Sequence, residues 1–264
     1  MPEGDTVHRT ARRLHRALSG HELTATDFRV PQHATSDLSG ETVLETVARG
    51  KHLLTRFSGG LTLHTHLKME GSWRTYASGE RWRRPAHQAR VVLTTEDVQA
   101  VGFSLGIVEL LPTAEEHTVV GHLGPDLLGP DWDEDEALDR LRQDPGRTIG
   151  EALLDQRCLA GLGTVYMSET LYLAGVRPLT PVDRVSDLAK VVRLGHRLLN
   201  FNNNRTGPRA MVQVTTGDTR PGREHYVYLR TDKPCRRCGS TIVTGLLGAP
   251  PRERRTYWCP HCQP

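Results

Sequence analysis

Val7, Ala11, Leu14 and Leu18 recur at spacings of four, three and four, which puts them on one face of a helix over residues 5–19. Asp5 is the expected N-cap, and Arg9, Arg12, Arg13 and Arg16 fall off the apolar stripe. A membrane surface or a sheet would suit that stripe. The β-rich stretch that follows favours a sheet. From about residue 22 to 111 the pattern is strand-like. Residues 42–57 are rich in Val, Leu and Thr, Ser58-Gly59-Gly60 makes a turn, and Leu61-Thr62-Leu63 resumes the alternation. Residues 91–93 and 98–103 continue it, so an antiparallel sandwich or barrel is expected.

A Gly- and Pro-rich stretch, 112–133, then separates the strand pattern from a helical one. Helices are expected over 134–142, 149–155, from 165 to 173 and over 186–199, with Thr148-x-x-Glu151 as a capping box. Residues 226–264 read as a small unit of short strands.

Composition narrows the class. At 264 residues the chain can bury two modest cores, and 37% hydrophobic with 25% charged residues suits a globular protein. No apolar run reaches the ~20 residues that cross a bilayer, and the N-terminus lacks a signal-peptide pattern. A cytoplasmic protein is therefore expected, with no membrane partner. The net charge of +3 is unevenly spread: residues 205–264 hold 11 Lys/Arg against 4 Asp/Glu, and the rest of the chain is mildly acidic. A basic C-terminal module fits a polyanion.

Four of the five cysteines form two pairs, Cys235-x2-Cys238 and Cys259-x2-Cys262, separated by 20 residues. That spacing suits a closed four-thiolate zinc site, structural rather than catalytic because all four positions are protein ligands. Cys158 stands apart and reads as a small buried residue, and His261 as a bystander. Between the pairs lie Arg252, Arg254 and Arg255, a hairpin suited to phosphate contact.

The chain opens Met1-Pro2-Glu3-Gly4-Asp5-Thr6-Val7. Removal of the methionine would leave a secondary amine, a good nucleophile toward an aldehydic carbon, beside a carboxyl group able to move protons. This opening, the C-terminal four-cysteine finger, and the run Leu153-Leu154-Asp155-Gln156 leading to Ala160-Gly161-Leu162-Gly163 together resemble the formamidopyrimidine-DNA glycosylase/endonuclease VIII family, nearer its endonuclease VIII branch. Arg49-Gly50-Lys51, His66-Leu67-Lys68-Met69-Glu70-Gly71, Leu123-Gly124-Pro125-Asp126 and Arg254-Arg255-Thr256-Tyr257-Trp258-Cys259 follow in the family's order, over almost the whole chain.

The resemblance implies an α+β protein: an N-terminal two-layered antiparallel β-sandwich with a flanking helix (1–115), a hinge (116–133), a helix-two-turns-helix domain (134–225) and a zinc-finger hairpin (226–264). It implies Pro2 as nucleophile toward C1′, Glu3 as the acid assisting ring opening, Lys51 in phosphate and proton handling during β-elimination, and Arg254 on the flanking phosphates, with Arg255 able to share that work. Lys68 and Met69 would contact DNA, Met69 as the wedge replacing a flipped nucleotide, with Leu105 as a further wedge candidate. Thr164 stands where the family has asparagine, and His122 where it has a DNA-contacting arginine. Glu169 matches a family glutamate on the helix that follows, with a structural salt bridge or cap as the alternative. The implied activity is a bifunctional glycosylase/AP lyase on damaged DNA, acting on oxidised pyrimidines, monomeric and without a nucleotide cofactor. A lyase with little base excision and a non-catalytic zinc-ribbon DNA-binding protein are the alternatives.

Overall fold

The computed structural model describes residues 2–207, 209–251 and 253–264. They fall into two compact units that divide between His122 and Leu123.

The first unit opens with α1 (Gly4–Leu18), whose stripe Val7, Ala11, Leu14 and Leu18 is buried. Each of the valine and leucine side chains contributes about 1.5–3 kcal/mol when taken from water. Asp5 does not cap the helix. Glu3 occupies the N-cap, and the buried Asp5 carboxylate instead accepts a hydrogen bond from Arg9 at 2.7 Å, drawing that arginine out of solvent as well.

Two four-stranded antiparallel sheets follow. One has the order β1 (Ala25–Phe28), β6 (Ala89–Thr94), β7 (Val98–Phe103), β5 (Ser72–Ala77). The other runs β2 (Val43–Arg49), β3 (His52–Phe57), β4 (Leu61–His66), β8 (Ile107–Pro112). Their alternating positions Leu53, Phe57, Leu63, Trp73, Val91, Leu93 and Val108 form one core with the α1 stripe, so the helix docks on a sandwich. A short helix, α2 (His117–Val120), closes the unit.

The second unit begins at residue 123, where Gly124 passes against the chain: a Cβ there would lie 2.6 Å from the carbonyl oxygens of Arg157 and Cys158. Four helices follow: α3 (Glu134–Arg142), α4 (Ile149–Leu154), α5 (Thr164–Ala174) and α6 (Leu188–Asn203). Asp133, Thr148 and Asp187 cap α3, α4 and α6 through their side-chain oxygens. Helix α6 starts two residues after the expected position because Asp187 is its cap. It continues to Asn203 because Asn202 is buried, donating to the Leu198 and Val214 carbonyls and accepting from the Val214 N–H. Buried residues surround α5 on every side, from Val165 to Tyr172. The unit ends in a two-stranded ribbon, β9 (Val243–Leu247) with β10 (Arg254–Trp258).

Glu169, fully buried on α5, has a structural role. Its carboxylate accepts the N–H groups of Tyr226, Val227 and Tyr228, each at 2.8 Å, and the Thr215 hydroxyl. One acidic group thus ties the strap leading into the cysteine unit to the central helix. Tyr172, three residues on, stacks on Tyr226 with centroids 4.9 Å apart and joins Val227, Ile242 and Tyr257 in a shared core.

Val227 and Tyr228 donate to one carboxylate oxygen and Tyr226 to the other, so replacing Glu169 with glutamine sets an amide N–H against at least one backbone donor, a cost of about 2 kcal/mol or more. Amide exchange at Tyr226, Val227 and Tyr228 should accelerate roughly thirtyfold in Glu169→Gln. Unchanged protection there would show that the carboxylate does not hold the strap.

Candidate functional site

Pro2 is half-buried and immediately precedes the α1 N-cap. The Glu3 backbone is extended, with φ −118° and ψ −175°, and its carbonyl accepts the N–H groups of Thr6 and Val7 at 3.0 and 3.1 Å. Its side chain is fully buried and does not cap the helix. A carboxyl group therefore sits, shielded from bulk water, one residue from the proline at the positive end of a helix.

Lys51 lies in the two-residue loop joining β2 to β3, where Arg49 pairs with His52. Gly50 takes φ +58°, as the first central residue of a II′-type hairpin requires. Lys51 is partly buried.

The connection from β4 to β5 crosses between the sheets. Leu67 is buried, Lys68 adopts φ +51°, and Met69 is 64% exposed. Gly71 closes the turn by donating to the Leu67 carbonyl at 2.9 Å. Met69 is therefore a projecting apolar side chain, not a core residue. Leu105 is the reverse: only 8% exposed and part of the sandwich core, so it is unavailable as a wedge.

A cluster of histidines that no sequence motif marks lies on one face of the β2-β3-β4-β8 sheet. His52 pairs with His66 across β3–β4, and His64 with Glu109 across β4–β8, so strand geometry brings all four to one face. His52 Nδ1 lies 2.8 Å from His64 Nε2, with the rings stacked at 5.0 Å, and His64 Nδ1 lies 2.8 Å from Glu109 Oε2. His66 and the exposed His122 stand edge-on to His52 at 5.0 and 6.4 Å. Burial, helped by His66, His64, His122 and Lys68, pushes His52 down to about 3. Burial, with Lys68, Lys51 and His64, takes His66 down to about 4. Both rings are neutral acceptors or donors at ordinary pH. The alternation His64-x-His66 in a strand pattern was the signal available, and it required the β8 partner to be read.

In the second unit, Thr164 is the first residue of α5 and is half-buried, with Gly163 as N-cap. The turn before it is held by Gln156, which donates to the Leu154 and Leu162 carbonyls at 2.9 and 3.0 Å and accepts from the Gly161 N–H at 3.0 Å. Cys158 is half-buried, and burial raises its thiol pKa, as suits an unreactive side chain.

The sulfur atoms of Cys235, Cys238, Cys259 and Cys262 all lie within 4.8 Å of one another. The Cys235–Cys262 and Cys238–Cys259 separations, 3.9 and 3.4 Å, bracket the edge of about 3.8 Å that a tetrahedron with 2.3 Å Zn–S bonds requires. The Arg237 and Cys262 N–H groups donate to Cys235 and Cys259 sulfur, each at 3.4 Å, as they would to thiolates. Four sulfur donors with this spacing fit a metal ion. His261 is exposed and outside the set. Arg254 and Arg255 are exposed at the start of β10, and strand alternation sends them to opposite faces of the ribbon. Arg252 lies outside the described residues.

Pro2, Glu3, Lys51, Lys68, Met69 and His122 belong to the first unit, and Thr164, Arg254, Arg255 and the cysteines to the second. Among the described residues, no helix is long and apolar enough to cross a membrane.

Residues 1–104 match the formamidopyrimidine-DNA glycosylase N-terminal domain, and residues 123–197 match the H2TH domain of the same family. The whole chain aligns at 54% identity with a probable endonuclease 8 2 of Streptomyces coelicolor, covering 94% of it. It aligns at 48% with the DNA-(apurinic or apyrimidinic site) lyase Nei2 of Mycolicibacterium smegmatis, covering 99%, and at 35% with an endonuclease 8 of Escherichia coli, covering all of it. In fold it resembles the Fpg protein of Lactococcus lactis solved in complex with abasic-site DNA, with a TM-score of 0.81 at 23% identity over 99% of both chains. With matched domains spanning both units and relatives covered end to end, the chain belongs to the formamidopyrimidine-DNA glycosylase/endonuclease 8 family of DNA glycosylases and AP lyases.

Proposed function

We propose that this enzyme excises oxidised pyrimidines and then cleaves the strand, using the amine of Pro2 exposed by loss of Met1. The observation that carries the reading is the buried carboxyl of Glu3, placed one residue from Pro2 at the start of a helix whose stripe is locked into the core. That arrangement suits a nucleophile that must be held still. Pro2 nitrogen attacks C1′, the C1′–N bond breaks and the base departs with its electron pair, taking up the proton that the proline nitrogen gives up. Glu3 gives a proton to the ring oxygen as the sugar opens, leaving an iminium. Loss of a C2′ proton then expels the 3′ phosphate, and loss of a C4′ proton expels the 5′ phosphate. Lys51 handles the phosphate and the proton in the first elimination.

Met69, exposed beside Lys68, supports a wedge that occupies the space of the flipped nucleotide. Thr164 at the α5 N-terminus and His122 are candidate backbone contacts. Zinc on Cys235, Cys238, Cys259 and Cys262 holds the ribbon that presents Arg254. Arg255, on the opposite face, contacts a different group or none. The ion is structural, and in this reading no nucleotide cofactor or second protomer takes part.

Borohydride trapping on abasic DNA should give a covalent adduct with the processed wild type and none with an N-terminal extension that blocks Pro2. Intact DNA binding without a wild-type adduct would falsify the Schiff-base mechanism. Met69→Ala should slow excision of a base lesion from duplex by about tenfold while changing abasic-site cleavage much less, since the wedge offsets a flipping cost of a few kcal/mol. Equal losses on both substrates would remove the wedge role. The protein should carry one zinc, and its removal or Cys235→Ser should weaken duplex binding by about tenfold or more as the ribbon loosens. Wild-type affinity in the zinc-free protein would detach the ribbon from DNA binding.

A further inference from the structure

Residues 78–88 leave β5 at Ala77 and enter β6 at Ala89. Ala77 pairs with Val98 and Ala89 with Phe103, at opposite ends of β7, so the segment runs the length of that sheet. It lies on the outer face, where Trp82 packs with Tyr76, Val92, Val101 and Phe103 and donates to Gln99 at 3.0 Å. Between this segment, β5 and α1 is a cavity of about 410 Å³, lined by Arg13, Arg74, Arg83 and Arg84 and by a single acid, Glu80.

Glu80 is already engaged: it accepts the Ala77 N–H at 3.2 Å and pairs with Arg83 at 3.3 Å. The other three guanidiniums meet no carboxylate among the described residues. Arg84 is fixed by neutral groups, donating to Gln88 Oε1 at 3.0 Å and Ser72 Oγ at 2.9 Å, and lies over the Phe103 ring at 5.5 Å. Arg13 donates from Nη2 to the Trp73 carbonyl at 2.5 Å, while its Nε is shut off from solvent and has no acceptor among the described residues. Arg74 is exposed on β5 and has none either. Burial, and then the Arg74 charge, disfavour the charged form of Arg13. Water can screen Arg74 but does not reach Arg13 Nε. An anion in the cavity would balance all three, and the guanidinium fork matches phosphate oxygens.

The cavity adjoins the turn that projects Met69. Ser72, which holds Arg84, is three residues from Met69, at most about 11 Å along an extended chain. Each DNA strand carries a phosphate about every 3.4 Å of helix axis, so a duplex seated on Met69 has a phosphate at that distance about three base pairs from the lesion.

We propose that Arg13, Arg74 and Arg84 form a separate phosphate site that takes a backbone phosphate of the duplex about three base pairs to one side of the lesion. It rests on the reading of Met69 as the wedge. A phosphate held there bridges α1, which follows the terminal amine, to the strand that follows the wedge turn.

Arg74→Gln removes an exposed cation that supports no packing, and Arg81→Gln removes an equally exposed cation of the same segment that does not line the cavity. Each variant is titrated with a duplex carrying a tetrahydrofuran abasic analogue. Arg74→Gln should bind about eightfold more weakly at roughly 0.1 M salt, and the slope of log affinity against log salt should shrink by about 0.9, the contribution of one phosphate. Trimming the duplex to about one base pair beyond the lesion on one side should cost wild type and Arg81→Gln that same factor and cost Arg74→Gln nothing further, because both changes remove one contact. An Arg74→Gln variant with wild-type affinity and slope, or one that still suffers the wild-type loss on trimming from either side, would overturn the proposal. Inorganic phosphate should shift the Nε–H NMR signals of Arg13, Arg74 and Arg84 in the DNA-free protein. Such shifts alongside unchanged DNA binding by Arg74→Gln would assign the cavity to free phosphate and overturn its assignment to DNA. Equal slowing of base-lesion and abasic-site cleavage in Met69→Ala would instead remove the wedge, and this placement with it.

Discussion

Burial of one face of α1 in the sandwich is the interaction on which the first unit depends. Val7, Ala11, Leu14 and Leu18 contribute to the same core as both sheets, so helix and sandwich cannot be separated without opening that core. A chain terminus ordinarily frays. Here the helix begins two residues after Pro2, and its first turn is fixed from below by Val7 and at the side by the buried Asp5–Arg9 pair. For an enzyme proposed to work with its own terminal amine, this converts the most mobile part of a polypeptide into a rigid one.

The second unit solves a related problem with charge. The cysteine ribbon is too small to bury a core of its own. It borrows one from α5 through Tyr172, and Glu169 on the same helix gathers three backbone N–H groups of the entering strap. A buried carboxylate is costly unless satisfied, and four donors satisfy this one. The carboxylate braces the segment at its entry, and the four clustered sulfurs, which fit a metal ion, stand at the knuckles. Arg254 and Arg255 project from the ribbon so braced.

The histidine face shows how a sheet can carry chemistry that no contiguous motif announces. Its members come from β3, β4 and β8, and only the antiparallel register aligns Glu109 with His64 and His66 with His52. A one-residue slip would send each of them to the core face.

What the sequence determined by itself were the features local in the chain: the α1 stripe, the capped helices, the cysteine spacing, the turn glycines and the order of motifs that marks the family. Helical and strand periodicities are written at short range, and a Cys-x2-Cys pair turns toward one point through its own backbone. Tertiary structure decided the matters that depend on a distant partner. Asp5 reads as a cap, but burial beside Arg9 gives it another role. Leu105 and Met69 are both apolar residues near turns, yet one lies in the core and the other projects into solvent. Glu169 reads as a family match or a structural salt bridge or cap, and the amides it accepts lie 57–59 residues away. Burial and long-range hydrogen bonding are properties of the packed chain. They cannot be read where the partner is set by register and layer packing rather than by neighbours in sequence.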